Sequence, residues 1–149
     1  NQNLMLFFTG FSRFSSDIQQ TTEKALVDKQ KQLLEMLSLV DDAEKVLTSK
    51  TDLNEFGRLL DYTWKLKRGI SNRISTDSID GLYAKGIAAG ALGGKLLGAG
   101  GGGFLLFYVE PDKQEAVHKA MEELLYVPFE FENSGTRVIH YTPETYEKR

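Results

Sequence analysis

Residues 95–109 read Lys-Leu-Leu-Gly-Ala-Gly-Gly-Gly-Gly-Phe-Leu-Leu-Phe-Tyr-Val, and the order of these parts decides the fold. Five of the 14 glycines in the chain fall at Gly98, Gly100, Gly101, Gly102 and Gly103. With so little side-chain bulk, the backbone N–H groups of such a run can approach a ligand closely. Glycine also reaches positive φ freely, so successive N–H groups can close into a concave nest for an anion. The run leads directly into Phe104-Leu105-Leu106-Phe107-Tyr108-Val109, an apolar segment of β type.

That context separates the loop from other glycine-rich loops. Gly98-x-Gly100-x-x-Gly103 matches the dinucleotide-binding pattern, but that loop follows a strand and opens a helix whose N-terminus holds the pyrophosphate. Here the glycines open a strand, and the reading fails. A P-loop needs a glycine five residues before its Gly-Lys pair and Ser or Thr after it. Around Gly94-Lys95 those positions hold Ala89 and Leu96. The further elements of a protein kinase are absent downstream. A flexible connection between buried strands remains the plain alternative. Against it stand the apolar flanks Leu96-Leu97 and Phe104-Leu105, and the backbone entropy that five glycines cost and a tight hairpin turn avoids.

Outward from the loop, Leu4 to Phe8 reads as a buried strand ended by Thr9-Gly10. From about Ile18 to Ser49 the pattern is helical, with Leu26, Leu33, Leu37, Val40 and Leu47 at helical spacings and a break expected near Asp41-Asp42. Thr51 or Asp52 caps a second helix carrying Phe56, Leu59, Leu60, Trp64 and Leu66, which Gly69 ends. Thr76 or Asp77 caps a third, with Ile79, Leu82, Tyr83 and Ile87 on its apolar face, and Gly90 stops it. Beyond the loop, Glu110-Pro111-Asp112 opens a helix that buries Ala116, Val117, Ala120, Met121, Leu124 and Leu125. Val127, Phe129 and Phe131 alternate, Asn133-Ser134-Gly135 turns, and Arg137 to Tyr141 returns, which predicts an antiparallel hairpin. Strands mixed with helices and hairpin connections predict an α+β layer, an antiparallel sheet with helices packed on one face.

The 149 residues suit one domain, and a chain of this length buries roughly 70% of its unfolded surface. A net charge of −3 without a basic cluster disfavours nucleic acid, and no apolar run approaches the ~18–20 residues that span a bilayer. Absence of cysteine excludes a disulfide framework, a thiolate nucleophile and cysteine-ligated zinc. The start at Asn1 lacks a leader pattern and enters a strand almost at once, so the sequence reads as a fragment cut at a domain boundary and a cytoplasmic location is expected.

Gly90-Ala91-Leu92-Gly93-Gly94-Lys95-Leu96-Leu97-Gly98-Ala99-Gly100-Gly101-Gly102-Gly103 resembles the third conserved motif of the GHMP small-molecule kinases. With Phe104-Leu105-Leu106-Phe107-Tyr108, the wording is most similar to the D-glycero-D-manno-heptose 7-phosphate kinase branch. Phe7-Phe8-Thr9-Gly10-Phe11-Ser12-Arg13 and Trp64-Lys65-Leu66-Lys67 extend the likeness over about residues 4–110. The resemblance implies a ferredoxin-like C-terminal domain over residues 1–149 and transfer of the ATP γ-phosphoryl group to a sugar or sugar phosphate, with Mg²⁺. It also implies that ATP, Mg²⁺ and the catalytic base are held mainly by an N-terminal domain, the partner of this one. No catalytic residue and no metal ligand are therefore expected in residues 1–149, which should fold yet be inactive alone. Galactokinase-like or fucokinase-like acceptors remain alternatives, as does a non-catalytic ferredoxin-like ligand-binding or dimerisation module.

The candidate site residues divide into three groups. Gly98, Ala99, Gly100, Gly101, Gly102 and Gly103 would cap phosphates or wall the cleft. Thr9, Ser12 and Arg13 follow the first strand, a guanidinium beside hydroxyls that suits phosphate or sugar hydroxyls, and in the family this segment faces the acceptor. Lys95 is a candidate phosphate contact, weighed against a plain surface lysine. Lys65, Lys67 and Arg68 read as complements to a helix C-terminus, Trp64 as core, and His118 and His140 as structural or exposed.

Overall fold

The computed structural model describes residues 2–10, 29–138 and 140–141. Its elements are β1 (Leu4–Phe8), α1 (Gln30–Thr48), α2 (Asn54–Arg68), α3 (Asp77–Ala88), β2 (Gly93–Leu96), β3 (Phe104–Tyr108), α4 (Gln114–Ala120) and β4 (Leu125–Tyr126). A single 3₁₀ turn over Pro111–Lys113 precedes α4. The four strands form one antiparallel sheet in the order β2-β3-β1-β4. Helices cross from β1 to β2 and from β3 to β4, so the topology is ferredoxin-like and α+β, as the sequence predicts.

Strand periodicity sorts the sheet into two faces. Register sets Gly94, Phe107 and Met5 in one row across the sheet, and Leu96, Leu105, Phe7 and Tyr126 in another. This inner face carries the core, in which Phe7, Leu96, Leu105 and Phe107 are fully buried with Trp64, Ile79, Val117 and Met121 from the helices and their links. Tyr83 of α3 stacks on Phe107 with ring centroids 5.6 Å apart. Gly86 makes room for that ring, since a Cβ there would lie 2.5 Å from Phe107 Cζ. The same logic seats α2 on the edge strand β2, where a Cβ on Gly93 would stand 1.9 Å from the Gly57 carbonyl oxygen.

Local chemistry explains the helix ends. Thr76, in extended backbone, caps α3 by accepting from Ile79 N–H at 3.3 Å, and Gly90 leaves the helix at φ +117°. At α2, Asp52 acts just upstream of the helix, its Oδ1 accepting from Asn54 N–H at 3.0 Å. Gly69 stays right-handed at φ −70°, and its small size admits Gln32, whose Nε2 donates to Leu66 O at 2.5 Å.

Three expectations are corrected. Helix α1 runs unbroken from Gln30 to Thr48, through Asp41-Asp42. Helix α4 stops at Ala120, so Leu125 lies in β4 and is exposed. The hairpin after β4 is absent among the described residues. Val127 N–H still reaches Leu6 O at 2.8 Å, but Pro128 has no N–H with which to continue the ladder. Among the described residues no helix is long and apolar enough to cross a membrane.

Candidate phosphate-binding site

The loop that joins β2 to β3 begins where Leu97 N–H donates to Phe104 O at 2.8 Å. All five of its glycines have positive φ: +80° at Gly98, +116° at Gly100, +74° at Gly101, +157° at Gly102 and +109° at Gly103. An L side chain at any of these positions would be strained, which accounts for the composition. Two anchors hold the loop. Gly101 N–H donates to Ile74 O at 2.9 Å in the α2–α3 link, and a Cβ on Gly100 would come within 2.7 Å of that same oxygen. At the far end, Gly103 is bonded to Thr9 through both backbone and side chain.

These anchors occupy the N–H groups of Gly101 and Gly103. Those of Gly98, Ala99, Gly100 and Gly102 meet no protein acceptor among the described residues. A loop tied at both ends with unspent donors along its middle is preorganised for an acceptor from outside the chain.

Charge is supplied by two lysines. Lys67 lies in the last turn of α2 and donates from Nζ to Gly98 O at 2.6 Å. Lys95 stands in β2 opposite Leu106, on the outer face of the sheet. Burial, and then the nearby Lys95 charge, hold the Lys67 pKa below the ordinary lysine value. The neighbours of Lys67 are engaged differently: Lys65 pairs with Asp61 at 2.6 Å and Arg68 with Asp80 at 2.7 Å. Asp61 also accepts from Tyr83 O–H at 2.8 Å, and burial together with that carboxylate pushes the phenol far above its usual range. Tyr83 thus remains a neutral donor that ties α3 to α2.

The structure places Lys67, which the sequence reading assigns to the helix terminus, against Gly98, and Lys95 near enough to Lys67 for its charge to act there. The one signal for Lys67 was angular. Residues 65 and 67 lie about 200° apart around a helix, so they cannot serve one face. Thr9 is buried at 4% exposure, with its hydroxyl engaged by Gly103. Ser12 and Arg13 lie outside the described residues. Among the described residues no group of three or more His, Cys, Asp or Glu side chains is placed to hold a metal ion.

Beside the loop, the outer face of the sheet is apolar. Leu6 and Leu106, Phe56 and Leu60 of α2, and Phe129 and Phe131 line an open groove of about 580 Å³. Leu37, Val40 and Leu47 of α1, the residues at helical spacings, are 57–65% exposed.

The fold and site define a ferredoxin-like domain with an anchored glycine loop between its second and third strands and Lys67 bonded to that loop. A model of the family described as "GHMP kinases C terminal" matches residues 43–127. The chain belongs to the GHMP kinases and carries their C-terminal domain. It is 34% identical over 137 residues to D-glycero-alpha-D-manno-heptose 7-phosphate kinase of Campylobacter jejuni, covering 89% of this chain and 40% of that enzyme. To mevalonate kinase of Pyrococcus abyssi it is 36% identical over 89 residues, 58% of this chain and 26% of that one. The crystal structure of L. major mevalonate kinase in complex with R-mevalonate shares the fold, with a TM-score of 0.69 at 24% identity over 80% of this chain and 37% of the other. The chain thus spans less than half the length of each of these relatives.

Proposed function

We propose that this chain is the C-terminal half of an ATP-dependent cytoplasmic sugar kinase whose acceptor is a heptose 7-phosphate. The observation that carries the reading is the glycine loop, anchored by Thr9 and Ile74, with four N–H groups unspent and Lys67 bonded to it. Family membership supports phosphoryl transfer, and the likeness to the Campylobacter jejuni heptose kinase along 89% of this chain supports the acceptor.

In this role the loop N–H groups donate to phosphate oxygens and Lys67 and Lys95 offset their charge. The anchors let the loop do so without reorganising. Such positioning is much of what phosphoryl transfer requires of a protein. Mg²⁺ would neutralise charge on the nucleotide phosphates; its ligands, and the catalytic base, belong to an N-terminal half. That half is also the partner proposed for the apolar outer face of the sheet and for the uncovered stripe of α1. The test is direct. The full-length protein, given MgATP and D-glycero-D-manno-heptose 7-phosphate, should release ADP and form a heptose bisphosphate, read by ³¹P NMR. Phosphorylation of an unphosphorylated sugar with heptose 7-phosphate inert would refute the acceptor assignment.

A further inference from the structure

Lys67 reaches the glycine loop from the end of α2, its Nζ donating to Gly98 O at 2.6 Å, and Lys95 in β2, three residues before the loop, stands close enough for its charge to act on Lys67. Neither has a carboxylate partner among the described residues, although Lys65 and Arg68 on either side of Lys67 do. Lys67 is partly buried and feels the Lys95 charge, and like charges so placed cost folding free energy unless something of opposite sign joins them. The Gly98 carbonyl accepts from Lys67 but carries no net charge, so it satisfies a donor and leaves the repulsion in place. The unspent N–H groups of Gly98, Ala99, Gly100 and Gly102 lie along the same loop. Lysines that act as point charges beside a backbone nest are the donor set of a phosphate dianion.

Phosphate could come from either substrate. A nucleotide triphosphate arrives with a divalent cation that already offsets part of its charge. A sugar phosphate arrives with nearly two uncompensated negative charges, matched by two uncompensated lysines. We propose that Lys67 and Lys95, with the loop N–H groups, bind the phosphate monoester that the acceptor already carries, and so make the enzyme selective for phosphorylated over free sugars. This rests on the kinase reading above, and it makes both lysines specificity determinants rather than catalytic residues.

The experiment has two arms. In the full-length enzyme, Lys95→Met and Lys67→Met should each raise KM for heptose 7-phosphate by about tenfold or more, the weight of one charge-assisted hydrogen bond, with KM for MgATP essentially unchanged. Lys95→Met is the sharper probe, because among the described residues Lys95 makes no hydrogen bond to the loop whose loss could deform it. A rise in KM for MgATP instead would assign the lysines to the nucleotide and overturn the proposal, as would no change in either KM. The second arm does not depend on turnover. Inorganic phosphate titrated into the full-length protein should shift the ¹⁵N–H resonances of Gly98 to Gly102, and each substitution should weaken the response. Turnover failure with these shifts present would sink the kinase reading and spare the anion site. Absence of the shifts would sink the site whatever the enzyme does.

Discussion

Thr9 and Gly103 are joined three times: Thr9 N–H and Oγ1 both donate to Gly103 O, at 2.8 and 2.9 Å, and Gly103 N–H donates to Thr9 Oγ1 at 3.1 Å. The end of β1 is thereby tied to the last glycine of the loop, 94 residues further on. Thr9→Val keeps the shape and removes both side-chain bonds. It leaves the half-buried Gly103 N–H without its acceptor, and losing a hydrogen bond of this kind costs about 0.5–1.5 kcal/mol. Urea unfolding should show that loss. Amide exchange at Gly103 should speed up more than exchange in α3, whereas Thr9→Ser should behave nearly as the parent. Uniform loss of protection would mean that Thr9 stabilises the whole domain and not the loop.

Within the loop, equal-looking glycines should differ. A Cβ on Gly98 meets nothing within 4 Å, so Gly98→Ala pays only for positive φ, about 1–2 kcal/mol. Gly100→Ala adds a clash 2.7 Å from Ile74 O and should displace the loop from the α2–α3 link. The measurable consequence is a larger drop in melting temperature for Gly100→Ala, with lost protection of the Gly101 amide. Identical behaviour of the two variants would argue against the Ile74 anchor.

Much of this arrangement was legible in the sequence because its causes are local. The apolar run Leu4 to Phe8 and the cap at Thr76 each specify an element without reference to distant residues, whereas the cap expected at Thr51 or Asp52 falls to Leu53, which has no side-chain cap bond. What was not legible depends on partners far along the chain. The spacing of Leu37, Val40 and Leu47 does mark one helix face, but only tertiary packing decides whether that face is covered. The alternation at Val127, Phe129 and Phe131 fits a strand, yet Pro128 ends the pairing after one further bond to Leu6. Lys67 looked like any cation near a helix C-terminus, because nothing in its neighbourhood of sequence reveals that Gly98 lies 31 residues on and within reach.

Close helix–strand contact gives a paired test of packing. Gly93→Ala would drive a methyl group to 1.9 Å from Gly57 O and lift α2 off β2, an overpacking change costing about 1–3 kcal/mol or more. Gly81 of α3 is helical and its Cβ position is open, so Gly81→Ala should stabilise by about 0.5–1 kcal/mol. Chemical denaturation of the two variants should move the midpoint in opposite directions.

The Lys67–Lys95 coupling can be read directly by titration. Lys67 has its pKa lowered in the folded state, first by burial and then by the Lys95 charge. Between that lowered value and the ordinary lysine value of 10.5, the unfolded chain binds more protons than the folded one. The contribution of Lys67 to stability therefore rises with pH through this window, the reverse of a lysine held in an ion pair. Lys95→Met removes the second cause and leaves the first, so the Lys67 ¹³Cε titration should move partway back towards 10.5. An unmoved titration would separate the two charges and weaken the case for a shared anion.

Residues 1–149 alone should fold and yet transfer no phosphoryl group. The basis for folding is a closed core, with Trp64, Phe7, Phe107, Ile79, Leu105 and Val117 almost wholly shielded within this chain. The basis for inactivity is length: the chain spans 40% of the Campylobacter jejuni heptose kinase that it matches. Cooperative urea unfolding of the isolated chain, with no ADP released from MgATP and heptose 7-phosphate, is the expected pair of results. The uncovered apolar face adds a third. Exposed Leu37, Val40 and Leu47 and the groove beside Leu6 and Leu106 should make the isolated chain bind a hydrophobic dye and self-associate. An N-terminal half supplied in trans should suppress both and restore turnover. Dye binding that persists in an active reconstituted enzyme would show that this face is not where the two halves meet.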